Sequence, residues 1–251
     1  MKSYFKNQIL KNFDEASFNY NNEALLQKIF ADKLAKSCSE QSIPKGIWVD
    51  LGSGTGLLAN AIETFHPNHS VIRIDGSKAM LKQHSQKQKV QLWDLNLGLP
   101  EWTKKPTLIA SNFALHWLVN PQGKLKEWFS ALAPGGLLAI ALPVEGSFPE
   151  WYEASSKAKV KCTATYLPSS TSLINAIQNK NIQYKQLERF TQQSKNVTSL
   201  LKPLVKIGAH STQNDSLNVG EWRKVKRNWP LAPSTNELQL TWSIQILIAR
   251  K

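Results

Sequence analysis

The feature that most constrains the fold is residues 47–62, where an apolar run meets a cluster of glycines and then an apolar helical pattern. The run Ile-Trp-Val-Asp-Leu is typical of a buried strand, and the residues after the glycines recur at helical spacing. Gly52, Gly54 and Gly56, with Ser53 between the first two, let the backbone approach a ligand closely. The helix that follows points unpaired N–H groups toward the same place. This segment therefore predicts the first strand, turn and helix of a nucleotide-binding sheet.

The residues around the glycines argue against a pyrophosphate ligand. Asp50 stands immediately before them, and a carboxylate there suits a ligand with a cationic or hydroxyl-rich end. The dinucleotide fingerprint needs a glycine where this chain has Leu57, and no Lys-Ser or Lys-Thr follows as a phosphate-binding loop requires. A plain glycine-rich turn stays open at this point. The segment resembles the Asp-x-Gly-x-Gly-x-Gly loop of class I S-adenosylmethionine (SAM) methyltransferases, which implies SAM as the cofactor.

Strand and helix patterns alternate beyond this loop. Further strands are predicted at residues 71–75, 90–94, 107–112, 137–142, 182–190 and 238–249. This order predicts an α/β fold with a doubly wound, mostly parallel sheet, and the resemblance implies seven strands in a Rossmann-like topology. We expect one domain over residues 1–251, with an N-terminal helical lid at about 1–43 and an embedded helical cap at about 145–180.

Composition limits the environment of the protein. The 251 residues are 41% hydrophobic, as in a folded globular chain. No secretory signal is recognised, and the longest apolar run, residues 137–142, is too short to span a membrane. Cys38 and Cys162 lack disulfide or zinc spacing, and His66 and His69 lack further ligands nearby. We therefore predict no metal site and a cytoplasmic location.

The chain is strongly basic. Its 31 lysines and arginines against 18 acidic residues give a net charge of +13, which attracts polyanions such as nucleic acid, anionic membrane or an acidic protein. The densest cluster is formed by Arg223, Lys224, Lys226 and Arg227. Taken alone, this cluster is typical of the solvated face of a helix.

Polar residues follow successive strands of the predicted sheet. Ligands of such sheets bind outside the carboxyl ends of the strands, where the strand order reverses. Asp75 is placed to accept hydrogen bonds from the ribose diol of SAM, and Asp94, with the backbone of Leu95, to take the adenine amine. Met80 is expected to pack on the adenine. Asn112 is expected to meet the amino-acid end of the cofactor.

Each of these residues also has a plainer interpretation. Asp75 and Asp94 both precede turn residues, and Asn112 suits a helix N-cap. Asp50 would lie near the ammonium group of the cofactor or orient the glycine loop. Their joint placement at successive strand ends favours the cofactor site.

The chain is similar to one methyltransferase family over essentially its whole length: the malonyl-acyl-carrier-protein O-methyltransferases of biotin synthesis (the BioC family). The segments that carry this resemblance are residues 13–27, Ser-Asn-Phe-Ala-Leu-His-Trp at 111–117, Glu-Gly-Ser-Phe-Pro-Glu at 145–150, Lys-Ile-Gly-Ala at 206–209 and the C-terminal 240–250. The glycine loop is shared by many methyltransferases, so these segments are the more diagnostic.

The resemblance implies methyl transfer from SAM to the free carboxylate of a malonyl thioester. Such a carboxylate is ionised at neutral pH and needs no general base, so the site has only to align it and strip its water. Tyr20 is expected to orient the carboxylate, with His116 and Trp117 lining the acceptor side; core packing is the alternative for all three. A cationic anchor is also expected. Relatives can show Arg before Leu-Pro where this chain has Thr165-Tyr166, which leaves Lys202 and Lys206 as substitutes.

The implied partner is malonyl-acyl carrier protein or malonyl-CoA. Carrier proteins are acidic, so Arg223, Lys224, Lys226 and Arg227 become candidate docking residues. Three alternatives stay open: a carboxyl methyltransferase of another small acid, an RNA methyltransferase, and a non-catalytic SAM-binding protein. The nucleic-acid alternative is disfavoured, because the Asn-Pro-Pro-Tyr motif of many nucleobase methyltransferases is replaced here by Asn-Phe-Ala-Leu at 112–115.

Overall fold

A computed structural model describes residues 2–210, 216–232 and 235–251, with the side chains of residues 2–6 left out. Its centre is a seven-stranded sheet in the order β3-β2-β1-β4-β5-β7-β6. The strands are β1 Trp48–Leu51, β2 Val71–Asp75, β3 Val90–Leu92, β4 Leu108–Asn112, β5 Leu137–Pro143, β6 Ile182–Ser194 and β7 Leu238–Arg250. The first five are parallel, and β7 runs antiparallel to both of its neighbours. The predicted doubly wound, mostly parallel sheet is confirmed.

Helices connect and cover the strands. They are α1 Lys2–Ala16, α2 Tyr20–Glu23, α3 Leu25–Ser39, α4 Leu57–Phe65, α5 Lys78–Leu81, α6 Pro121–Ala131, α7 Pro149–Lys157, α8 Ser170–Ile177, α9 Val197–Lys206 and α10 Val219–Arg227. Short 3-10 turns lie at 95–97, 115–117 and 179–181. None of the helices within the described residues is long and apolar enough to cross a membrane.

The central strands are apolar because they are covered on both faces. Every residue of β1 and β5 is buried, as expected for parallel strands between two helical layers. Successive residues serve opposite faces: Trp48 packs into the cluster that contains α3 and α4, whereas Val49 packs into the cluster that contains α6 and α8. The edge strand β6 instead alternates partly buried and exposed residues over much of its length.

The segment predicted as an embedded cap divides between the two faces of the sheet. Helix α7 lies with α10 and β7 on the face covered by α3 and α4. Helix α8 packs against α6 on the opposite face, where Leu173 and Ile177 are buried beside Leu125 and Trp128. Residues 145–169 therefore lie beside the helical layer that carries the acceptor cavity described below, and α8 does not.

The chain reverses its strand order between β1 and β4, since β2 and β3 extend the sheet one way and β5 extends it the other. A crevice forms outside the carboxyl ends of strands at such a reversal. The N-terminal helices lie over this edge, and α1 contacts α5. Gly208, which follows α9, lies so close to α1 that a Cβ built there would be 2.6 Å from the backbone oxygen of Asn12. The two terminal helical segments therefore meet above the crevice.

Candidate active site

The first of two neighbouring cavities, of about 120 Å³, lies at the strand reversal. Its wall includes predicted cofactor residues from the ends of β1, β2 and β4 and from the segments that follow β1, β2 and β3: Asp50, Gly52, Ser53, Gly54, Asp75, Met80, Asp94, Leu95 and Asn112. Gly56 is the exception. It is the N-cap of α4 with φ of +92°, and a Cβ there would be 2.6 Å from His84 Cε1. Glycine is therefore required there for packing behind the loop, and Gly56 is not among the residues that line the cavity, so its contact with the cofactor stays a prediction.

The glycine loop is held open by backbone hydrogen bonds on both sides. Gly52 N–H donates to the Ile74 carbonyl at 2.8 Å, and Gly54 N–H donates to Asp75 Oδ2 at 2.8 Å. Behind the loop, His84 Nε2 lies 2.9 Å from the Gly54 carbonyl oxygen. Gly52 has φ of +72°, and a Cβ there would be 2.2 Å from the Ala114 Cβ. Only glycine lets β1 and the segment after β4 approach this closely.

Asp50 is buried at the foot of the loop. Its Oδ2 accepts a hydrogen bond from Ala59 N–H at 3.1 Å, which ties the end of β1 to α4. Burial raises the pKa of Asp50 to about 7, against the opposing effect of the Arg73 charge. Its other oxygen has no partner within the described chain. The carboxylate therefore orients the loop with one oxygen and leaves the other for a donor.

Asp75 and Asp94 each brace a turn and also lie at the cofactor cavity, so both interpretations that the sequence left open apply to them. Asp75 Oδ1 accepts from Ser77 N–H at 2.7 Å, and Asp94 Oδ1 accepts from Asn96 N–H at 3.0 Å, so both carboxylates brace turns. Both residues also line the cavity. Burial raises the pKa of Asp75, opposed by the hydrogen bonds it accepts from Ser77 and Gly54. The turns thus fix the carboxylates at the cavity wall.

The polar groups around this cavity suit a ligand with both donors and acceptors. Asn112 donates from Nδ2 to the Gln27 carbonyl at 2.9 Å, which joins β4 to α3, while its Oδ1 is buried without a partner in the described structure. Ser53 Oγ is likewise buried without a hydrogen-bond partner in the described structure. Buried polar atoms are costly to leave unpaired, so they indicate missing ligand contacts. The ammonium group of SAM would satisfy acceptors of this kind, and the buried Met80 offers an apolar surface for its adenine.

A second cavity of about 290 Å³ adjoins the first. The residues that line both cavities are Phe13, Tyr20, Gln27, Phe113 and Trp117. The rest of the second wall is largely aromatic and aliphatic, and among the described residues it contains no lysine, arginine, aspartate or glutamate. The two spaces therefore share a junction, with polar groups on one side and an apolar chamber on the other.

The three residues predicted for the acceptor side lie at this second cavity. Tyr20 and Trp117 line both cavities, and His116 lines the second alone. Burial raises the pKa of Tyr20, with a further contribution from the Asp75 charge, so its side chain is a neutral phenol. Burial lowers the pKa of His116 to about 3, so its imidazole is neutral at physiological pH. The Trp117 ring meets Phe13 edge-on at 5.7 Å between centroids.

The lysines considered as an anchor for the acceptor carboxylate do not fill that role. Lys202 is exposed and absent from the cavity wall, and Lys206 forms an ion pair with Glu23. Thr165 does line the cavity, whereas the neighbouring Tyr166 is exposed. That expectation is corrected: no lysine or arginine is among the described residues of the wall, whose basic side chains are His116 and His210.

Sequence reasoning missed the part of the wall that comes from α9 and α10. Leu201, Leu204 and Trp222 from these helices close the second cavity. The Trp222 ring lies 5.8 Å from that of Trp151 on α7. Amphipathic spacing in residues 197–227 could have revealed a buried face, but nothing in the sequence shows which cavity that face covers.

Comparison with known proteins agrees with this geometry. Residues 49–140 match the family model described as "Methyltransferase domain". A solved structure described as a putative methyltransferase from Bacillus halodurans superposes with a TM-score of 0.58 at 16% identity, covering 87% of this chain and 98% of that one. The chain therefore contains a methyltransferase domain, and its sheet has the class I methyltransferase fold. SAM is accordingly its methyl donor, and the first cavity has the residues that fit it.

The relatives of this methyltransferase carry a narrower name. A malonyl-[acyl-carrier protein] O-methyltransferase from Alcanivorax borkumensis is 26% identical over 97% of this chain and 86% of its own length. Further relatives with the same name are 23–28% identical. A trans-aconitate 2-methyltransferase from Variovorax paradoxus is 35% identical, over 38% of each chain. The resemblance to the BioC family is therefore confirmed along the chain, whereas the aconitate enzyme matches only part of it.

Proposed function

We propose that this methyltransferase transfers the SAM methyl group to the free carboxylate of a malonyl thioester and so forms its methyl ester. The observation that carries the proposal is the second cavity, which shares five wall residues with the cofactor cavity and is otherwise largely apolar. Relatives named for this reaction align with nearly the whole chain, including α9 and α10. In a biotin pathway, the ester would mask the charge of the unit that primes pimelate assembly.

The composition of this wall supports a substrate with a single carboxylate on a long neutral arm. An acid with several carboxylates would bury several negative charges beside a wall that has no described lysine or arginine, which is costlier than burying one charge that neutral donors can solvate. The described wall instead offers aromatic rings together with neutral donors such as the Trp151 and Trp242 indoles. A thioester arm contains methylenes and amides that suit such a surface. This distinguishes the proposal from methylation of a free polycarboxylic acid.

The chemistry requires positioning more than proton transfer. SAM supplies a methyl group on a positively charged sulfur, and the acceptor carboxylate is already an anion at neutral pH. The junction residues hold the carboxylate oxygen in line with that methyl group and exclude water from it. In this scheme the Tyr20 phenol donates a hydrogen bond to the carboxylate without neutralising it, and His116 and Trp117 form the acceptor side of the chamber.

Helix α10 supports a carrier protein as the thioester partner. Arg223, Lys224, Lys226 and Arg227 are all exposed on it, while Val225 of the same helix is buried. The inner face of this helix thus closes the acceptor cavity through Trp222, and its outer face presents four positive charges. An acidic carrier protein docking there would be steered by charge, since complementary surfaces raise the association rate.

The same proposal covers domain organisation and location. We place residues 1–251 in one methyltransferase domain, whose lid combines the N-terminal helices with residues 145–169 and with α9 and α10. Neither Cys38 nor Cys162 forms a disulfide bond within the described residues, which supports a reducing cytoplasm where carrier proteins and coenzyme A thioesters occur.

A parallel assay with three acceptors tests the proposal. Formation of S-adenosylhomocysteine (SAH) is followed with malonyl-acyl carrier protein, malonyl-CoA and trans-aconitate, each under the same conditions. We expect turnover of the malonyl thioesters and little turnover of aconitate. The opposite preference would discard the malonyl assignment and favour a small-acid carboxyl methyltransferase.

Docking is tested by reversing the four α10 charges to glutamate. We expect kcat/KM for malonyl-acyl carrier protein to fall about tenfold or more at low salt, with malonyl-CoA turnover kept, because only the carrier protein has an extended acidic surface. The matched control reverses four exposed lysines near β3 and before β4: Lys87, Lys89, Lys104 and Lys105. Equal losses on both substrates, or equal losses in both variants, would contradict docking on α10.

A further inference from the structure

Gln27 is a buried polar residue on the apolar face of α3. The buried face of α3 consists of Leu26, Gln27, Phe30, Ala31, Leu34, Ala35 and Cys38, so a single amide interrupts an otherwise apolar stripe. Only 6% of Gln27 is exposed. A polar residue that breaks a local pattern marks a functional or strained position more often than a packing position.

The amide of Gln27 is free to bind a ligand. Its main-chain carbonyl accepts a hydrogen bond from Asn112 Nδ2 at 2.9 Å, which anchors this turn of α3 to the end of β4. The side chain itself makes no hydrogen bond within the described residues. The backbone of Gln27 is therefore fixed, and its side-chain amide is available to contact a ligand.

Gln27 also lies where the reacting groups must meet. It belongs to the five residues that line both cavities, and of these only Tyr20, Gln27 and Trp117 carry polar side-chain groups. Methyl transfer takes place where the cofactor cavity opens into the acceptor cavity. An N–H donor at that junction can reach the acceptor group while the arm of the substrate lies in the apolar chamber.

The charge of the acceptor cavity determines what a donor there must bind. An acceptor carboxylate in this cavity has no lysine or arginine to pair with among the described wall residues. Of the two histidines in the wall, His116 has a neutral imidazole, and His210 lines only the second cavity and not its junction with the first. A carboxylate that is taken from water needs hydrogen bonds in place of its hydration. Neutral donors provide these bonds, and they leave the negative charge on the oxygen that attacks the methyl group.

We propose that the Gln27 side-chain amide donates a hydrogen bond to the acceptor carboxylate and, beside Tyr20, takes the place of a cationic anchor. The inference rests on the proposed carboxyl methylation and names how this chain recognises that substrate class. The amide orients one carboxylate oxygen, the other oxygen attacks the methyl group, and the cofactor leaves as SAH. No proton is transferred in the step.

Two substitutions of Gln27 test this role. Gln27→Leu keeps the approximate size and removes the donor, and Gln27→Glu places a carboxylate against the substrate carboxylate. Because a hydrogen bond to a charged group is being removed, we expect kcat/KM for malonyl-acyl carrier protein to fall about 10- to 100-fold in the leucine variant, and further in the glutamate variant. The affinity for SAH, measured by titration calorimetry, should stay within about threefold for the leucine variant.

A matched control removes a glutamine elsewhere. Gln122 on α6 donates to Ser172 Oγ at 3.0 Å on the opposite face of the sheet, so Gln122→Leu loses an amide hydrogen bond outside both cavities. We expect its kinetics to match those of the wild type. Leucine-variant kinetics within about threefold of the wild type would overturn the proposal. A loss of SAH affinity as large as the loss in kcat/KM would also overturn it, since Gln27 would then bind the cofactor.

The wild-type reaction separates this inference from the function proposed above. If the wild type methylates another carboxylic acid and no malonyl thioester, the malonyl assignment fails. The Gln27 variants, assayed with that acid, then decide the present inference by the same criteria. If the wild type methylates no carboxylate at all, both proposals are refuted.

Discussion

Replacing Asp75 with asparagine should weaken cofactor binding without unfolding the glycine loop. Both Asp75 oxygens accept backbone hydrogen bonds, at 2.7 Å from Ser77 and 2.8 Å from Gly54, and the residue lines the cofactor cavity. Asparagine keeps the shape and one acceptor oxygen, but it turns an amino group toward one of these N–H donors. It also removes the negative charge that we expect the ribose hydroxyls to contact.

The size of the effect follows from these contacts. A hydrogen bond to a charged group contributes about 1.5–3 kcal/mol, and two ribose contacts would be weakened together. Since the remaining oxygen still accepts one bond, we take a net loss of about 2–4 kcal/mol, or about 30- to 1,000-fold in affinity. The assay is titration calorimetry with SAH, combined with KM for SAM.

A neighbouring carboxylate supplies the control. Asp14 Oδ1 accepts from Ser77 Oγ at 2.5 Å and from Ala79 N–H at 3.2 Å, so it braces the same turn without lining the cofactor cavity. Asp14→Asn should bind SAH within about threefold of the wild type. The reasoning would be refuted if Asp75→Asn also stayed within threefold, or if both variants lost affinity equally.

Three further predictions concern stability and the acceptor cavity. Because the pKa of Asp50 is raised to about 7, its carboxyl binds a proton more tightly in the folded chain than in the unfolded one, and its contribution to stability falls as pH rises from about 4 to about 7. The Tm of Asp50→Asn relative to the wild type should therefore increase over that pH range, and a constant difference in Tm would contradict this. Glu63→Ala removes the 2.7 Å ion pair of the buried Arg73 and should lower the free energy of unfolding, measured in urea, by about 3–5 kcal/mol. Glu15→Ala breaks an exposed pair with Lys11 and should lower it by less than about 1 kcal/mol, so similar losses in the two variants would contradict the burial argument. Trp222→Ala should raise KM for the malonyl acceptor about tenfold or more and leave SAH affinity unchanged, because Trp222 lines only the acceptor cavity; a parallel loss of SAH affinity would place it at the cofactor instead.

The sheet could be predicted because its signals are local. The apolar run at 137–142 and the long final run from Leu238 both became strands, β5 and β7, since burial on both faces leaves a continuous apolar pattern. The predicted strand ends were wrong at the two edges of the sheet. The third strand ends at Leu92, because Asp94 caps the following 3-10 turn, and β6 continues to Ser194 on the exposed edge, where the hydrophobic pattern is weak.

The cofactor site was predictable for a related reason. Residues at the ends of parallel strands converge on one edge of the sheet, so Asp50, Asp75 and Asn112 could be placed together from strand order alone. Gly56 shows the limit of this logic. Spacing identifies a glycine that the backbone requires, but only the structure shows that His84 packs against Gly56 and that this glycine lies outside the lining of the cavity.

The acceptor site depended on long-range packing and was therefore harder to predict. Trp222 and Leu204 reach the cavity from residues far along the chain, through contacts among α7, α9, α10 and β7. Whether a lysine anchors the acceptor carboxylate also depends on packing, because Lys206 pairs with Glu23 and does not line the cavity. No local pattern reports either arrangement.

The most direct test of the proposed reaction is the intact mass of malonyl-acyl carrier protein after incubation with SAM and this methyltransferase. We predict a gain of one methylene that appears only with SAM, lies on the malonyl group and is removed by an esterase. An unchanged malonyl carrier, in a reaction where SAH binding is confirmed by calorimetry, would contradict carboxyl methylation of the malonyl group.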